Sequence, residues 1–85
     1  MGKKPERLLD EMRRSKVGRK ISELDSLLRG FGFTTKESAK HCLYLHPEHP
    51  DLFVTVTRSS RELDAGYVRS AIDAIDRLIA RRNEA

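Results

Sequence analysis

The chain has no tryptophan, one cysteine and three prolines. A lone cysteine, Cys42, rules out an internal disulfide, so no covalent staple holds the fold and nothing points to an oxidising compartment. Without tryptophan, and with only three Phe and two Tyr, the core has to come mainly from Leu, Ile and Val. No apolar run approaches the roughly 20 residues that cross a bilayer. The first residues, Met1-Gly2-Lys3-Lys4-Pro5-Glu6-Arg7, carry charge with no apolar stretch behind them, which is unlike a secretory signal. A cytoplasmic location is the expectation.

Charge is what the sequence has in quantity. Charged residues at 35% against 38% hydrophobic, over 85 residues, fit one small globular domain (1–85) rather than a disordered chain. A chain of this length buries only about 60–65% of the surface its unfolded form exposes, so the core is thin. The net charge of +4 is unevenly placed: residues 1–20 hold eight Lys and Arg against three Asp and Glu, and the remainder nine against ten. All of the basic excess therefore lies at the start, where residues 1–18 read as a basic helical extension. Such an excess attracts polyanions through counterion release and steering. A solvated terminus that aids solubility is the plainer reading of the same charges.

Periodicity then sets the element order. Over 5–15, Leu8, Leu9 and Met12 give a short helix with a narrow apolar stripe, started by Pro5 where a missing N–H costs nothing. A helix so short needs a partner surface. Over 20–30, Ile21, Leu24, Leu27, Leu28 and Phe31 mark a second helix, with Ser22 as its expected N-cap and Gly30 at its end. From Phe33 the pattern alternates: a strand over 33–36, a turn over 37–39, a strand over 40–46, and a third over 52–58. Pro47 and Pro50 are expected to keep 47–51 out of continuous pairing. Over 64–81, Val68, Ala71, Ile72, Ile75, Leu78 and Ile79 define the clearest helix, with Asp64 as N-cap. The expected class is α+β, ordered α-α-β-β-β-α: a three-stranded antiparallel sheet with helices packed on one face and the other face left open.

Three stretches carry a resemblance. Leu27-Leu28-Arg29-Gly30-Phe31-Gly32-Phe33 is similar to a helix running into a Gly-Phe strand start. Lys40-His41-Cys42-Leu43-Tyr44-Leu45-His46-Pro47 is similar to a strand with an early His, an aromatic and a late His-Pro. Glu62-Leu63-Asp64-Ala65-Gly66-Tyr67-Val68-Arg69 is similar to a Glu-Leu-x-x-Gly-x-apolar-Arg helix start. In this order and spacing, from about Leu24 to Leu78, the chain resembles the HicA toxins of bacterial toxin–antitoxin pairs. The resemblance implies a fold like a double-stranded-RNA-binding domain. It implies metal-independent cleavage of mRNA with no cofactor, inhibition of translation, and a HicB-type antitoxin as partner. It places the catalytic histidine on His41. Ala39-Lys40 stand where the family has Gly-Ser, and an alanine resists backbone shapes open to glycine.

Histidine suits such chemistry because, as a residue type, it both takes and gives a proton near neutral pH. A cation beside it offsets charge that gathers on the phosphate. Lys40 is nearest in sequence, although neighbouring strand residues point to opposite faces. Arg58 and the cluster containing Lys16, Arg19 and Lys20 are the other candidates for holding RNA. Alternation puts His41 with Leu43 and Leu45, and Cys42 with Tyr44 and His46. Were the leucines to face the core, His41 would be a packing residue. His41 and His46 have opposite parity on one strand and cannot converge on one metal ion while the strand is regular. Cys42 reads as packing, and Tyr44 as cross-strand packing before a base-stacking surface. Two further readings stay open: an RNA-binding module without catalysis, and a protein-interaction domain.

Overall fold

Leu52, Val54 and Val56 alternate along the chain with Phe53, Thr55 and Thr57. Three aliphatics against a phenylalanine and two threonines leave little choice about which side of that strand turns inward. A computed structural model, which describes residues 4–57 and 63–84, shows the outcome. The elements are α1 (Pro5–Arg14), α2 (Ile21–Gly30), β1 (Thr34–Glu37), β2 (His41–His46), β3 (His49–Thr57) and α3 (Ala65–Glu84). The sheet is ordered β1-β2-β3 and both pairs are antiparallel.

Register passes the choice made by β3 to its neighbour. Cys42 lies opposite Val56 and Tyr44 opposite Val54, so these four share the closed face. Tyr44 is 1% exposed, and its hydroxyl donates to the Asp25 carboxylate of α2 at 2.8 Å. Burial, together with that carboxylate, pushes the Tyr44 phenol well above the ordinary tyrosine range. His41, Leu43 and Leu45 lie opposite Thr57, Thr55 and Phe53 on the other face. No helix among the described residues covers that side, where His41, Phe53, Thr55 and Thr57 are exposed.

The helices pack on the closed face. α3 lies against β3 with Val68, Ala71, Ile72, Ala74, Ile75 and Leu78 turned inward, and α2 adds Leu24, Leu27 and Leu28. Each large aliphatic so buried contributes roughly 1.5–3 kcal/mol. Asp64 caps α3 as expected, its carboxylate accepting the Gly66 N–H at 3.0 Å.

Within the segment expected as an N-terminal extension, α1 packs into this core. Leu8, Leu9 and Met12 of α1 are buried against α2 and α3, and Arg13 is ion-paired with Asp76 of α3. The close approach is made possible at Gly30, where a Cβ would sit 2.4 Å from Cγ of Pro5.

Three local expectations need correction. α2 starts at Ile21 with Lys20 as its N-cap, not Ser22. The Glu23 carboxylate accepts the Lys20 N–H at 3.2 Å, which secures that end. The first hairpin turns at Ala39-Lys40 rather than over 37–39, because β1 continues to Glu37, paired with Cys42. Pairing in the second hairpin resumes at His49, so Pro50 lies inside β3. β3 is an edge strand and tolerates the missing donor. No helix among the described residues is long and apolar enough to cross a membrane.

Candidate functional site

The turn between β1 and β2 fixes the start of the second strand. Ser38 donates its N–H to the carbonyl of His41 at 2.9 Å, and its Oγ accepts the His41 N–H at 3.1 Å. A serine that closes the turn from both backbone and side chain needs no left-handed residue beside it. Among the described residues, no non-glycine has a positive φ, and Ala39 is no exception. His41 follows as the first residue of β2, exposed, on the face without helices.

Three polar side chains gather with it. Thr57 is directly opposite on β3, and its hydroxyl shares a 2.7 Å hydrogen bond with the hydroxyl of Tyr67 in the first turn of α3. Lys36, exposed and opposite Leu43, is the diagonal cross-strand neighbour of His41, on the same face and about 7–8 Å away. Lys40 is exposed in the turn itself. Neither lysine has an ion-pair partner among the described residues.

The other cations expected to hold RNA divide. Lys20 is exposed, and Lys16 is half-buried with its ammonium donating to the carbonyl of Arg13 at 3.0 Å. Arg19 is committed to the fold: its guanidinium bonds the carbonyls of Ser15 and Glu11 and the carboxylate of Glu23. Those bonds satisfy acceptors at the C-terminal end of α1 and tie it to α2. The carbonyl of Arg19 also accepts the N–H of Leu63, just before α3. Arg19 and Lys20 therefore lie toward the end of the molecule where Thr57 meets Tyr67. Arg58 lies outside the described residues.

At the far end of β2 the second histidine has a different setting. His46 is 3% exposed, edge-on to Phe33 at a ring-centroid distance of 5.3 Å and tilted against His49 at 5.2 Å. Its Nδ1 accepts the Glu48 N–H at 3.2 Å, while its buried Nε2 makes no hydrogen bond of normal geometry among the described residues. Gly32, at φ +94°, makes room: a Cβ there would lie 3.2 Å from that nitrogen. Burial first, then the charge on His49, lowers the His46 pKa below the ordinary value; Glu48 and the Phe31 backbone pull the other way, and Arg82 adds to the lowering. Arg81 of α3 braces this corner through His49 and an ion pair to Asp51, which holds the Asp51 carboxyl down to about 2. The two strand histidines are thus held apart on opposite faces. No group of three or more His, Cys, Asp or Glu among the described residues is placed to hold a metal ion.

Chemically, the open end offers an accessible imidazole, two primary ammonium groups and a hydroxyl pair. Sequence reasoning passed over Lys36, Thr57 and Tyr67. A turn over 37–39 sets Lys36 against Lys40, whereas the two-residue turn moves it onto the face of His41. Searches against models of known families, against characterised proteins and against solved structures return no match to this chain.

Proposed function

We propose that this chain is a HicA-like, metal-independent endoribonuclease that cuts mRNA, inhibits translation and is restrained by a HicB-type antitoxin covering the open surface. The exposure of His41 on the uncovered face, beside two lysines, is the observation that carries this reading. His41 accepts the proton of a ribose 2′-hydroxyl. The freed oxygen forms a bond to the adjacent phosphorus as the bond to the 5′-oxygen breaks. That oxygen takes a proton from the imidazolium or from water, leaving a 2′,3′-cyclic phosphate and a 5′-hydroxyl. Lys36 and Lys40 neutralise charge on the phosphate. Positioned acid–base catalysis of this kind is worth about 10²–10⁴-fold in rate.

The test is incubation of pure protein and of His41→Ala with mixed RNA in EDTA. Cleavage by the parent that disappears in the variant, with an unchanged melting temperature, is the expected result. A variant that cuts as fast as the parent removes His41 from the mechanism. Retention of RNA by a parent that never cuts it leaves a binding module.

A further inference from the structure

The uncovered face carries more than the imidazole. Phe53 is 59% exposed, one of two large hydrophobic side chains so placed among the described residues. It lies opposite Leu45, and Leu43 and Thr55 fill the next cross-strand row. Lys36 and His41 close the same surface toward the first hairpin. From Thr34 through Thr57, the open-face rows that contain these residues hold no carboxylate. The carboxylates that line the groove beside Phe53, Asp51 and Asp73, are each paired with an arginine, Arg81 and Arg77.

We infer that this face is a platform for single-stranded RNA, with one base stacked on Phe53 and the backbone running past Lys36 to His41. The inference rests on the proposed reading and adds the substrate class and its footing. An exposed aromatic ring suits an unpaired base, since every base has a π-face, and lysines along the same track suit the phosphates. Bases stacked inside a duplex cannot reach the ring. Phe53 and His41 are four residues apart along the register, about 13 Å at strand spacing. At a stacked rise of 3.4 Å that is at most about four nucleotides between the gripped base and the bond that is cut.

The absence of native tryptophan supplies the readout. In Phe53→Trp the introduced indole is the only one in the chain, and stacking quenches its fluorescence. The probe is a 2′-O-methyl octaribonucleotide, which has no nucleophile and cannot be cut, given as a single strand and as a duplex. The single strand is expected to quench the indole and to bind more tightly than the duplex. Phe53→Ala is expected to weaken single-strand binding by about 5–150-fold, the range set by one stacked base, and to leave duplex binding unchanged. Tighter duplex binding, an indole indifferent to the oligonucleotide, or undiminished binding by Phe53→Ala overturns the platform. Binding is read without chemistry, so a platform that fails while His41-dependent cleavage persists leaves the nuclease reading standing. A platform that works in a protein that never cuts RNA removes only the nuclease. Capture of a protein partner by this face, lost in Phe53→Ala with RNA binding intact, likewise overturns the inference.

Discussion

His41 and His46 open and close the same six-residue strand, and the fold treats them in opposite ways. One is the first residue after a polar turn, on the face without helices, with lysines for neighbours. The other is wedged between Phe33 and His49 on the closed face, with one ring nitrogen holding a backbone N–H and the other buried and, among the described residues, without a hydrogen bond of normal geometry. Five residues of separation reverse the parity, and parity decides which histidine meets solvent. An exposed imidazole can serve chemistry at little cost to stability. A buried one serves packing, and its protonation opposes the fold.

Substitution of each in turn breaks the comparison most directly. His41→Ala is expected to lower RNA cleavage by about 10²–10⁴-fold, measured as initial rate in EDTA, with no change in the urea midpoint. His46→Ala is expected to do the reverse first, costing roughly 2–4 kcal/mol in urea melts through the cavity left beside Phe33. Equal losses of stability in the two variants would mean that the two faces are not distinct.

Acidification sharpens the same contrast. The native His46 pKa is lowered, so stability is complete above the ordinary histidine value of about 6.5. As pH falls through that value the unfolded chain binds a proton that the native ring resists, and stability declines toward the native pKa. His49 and Arg82 face the ring from the hairpin and from α3, Glu48 opposes them, and Arg81 and Asp51 stand beside His49. Urea melts between pH 8 and pH 5 are expected to show a smaller decline in His46→Gln than in the parent. An equal decline assigns the titration elsewhere.

Smaller effects follow along the two faces. Tyr44→Phe removes the bond to Asp25, which keeps its pairing with Arg29, and is expected to cost about 1 kcal/mol in the same melts. Phe53→Ala on the open face loses its cross-strand packing with Leu45 and its place at the edge of the groove toward α3, and is expected to cost less than about 1 kcal/mol. A larger loss there would show that the exposed ring is part of the packing.

The element order was legible because each stripe repeats at its own period: Leu24, Leu27 and Leu28 for a helix, Leu52, Val54 and Val56 for a strand. The turn was harder to place. Glu37, Ser38, Ala39 and Lys40 are all polar or small, so composition marks a break without centring it. The Ser38 bonds that do centre it are visible only in three dimensions. β2 alone could not reveal its closed face, since Leu43 and Leu45 are as apolar as Cys42 and Tyr44. Reading β3 first and carrying its alternation across the sheet would have decided it. The burial of His46 follows from that parity and from the space left by Gly32. The role of Arg19 had no sequence signal, because it depends on how α1 and α2 meet. Pro5 and Gly30 carried a hint of that meeting, each explained locally as a helix start and a helix end, yet they are in contact.

Cys42 follows His41 directly and points the other way, sealed under the sheet as the only thiol in the chain. Alkylating reagents can reach it only when β2 lifts from the helices beneath. The rate of its modification therefore clocks, with no dye or label engineered in, how often the strand that presents His41 lets go of its support. RNA that grips the opposite surface should slow that clock.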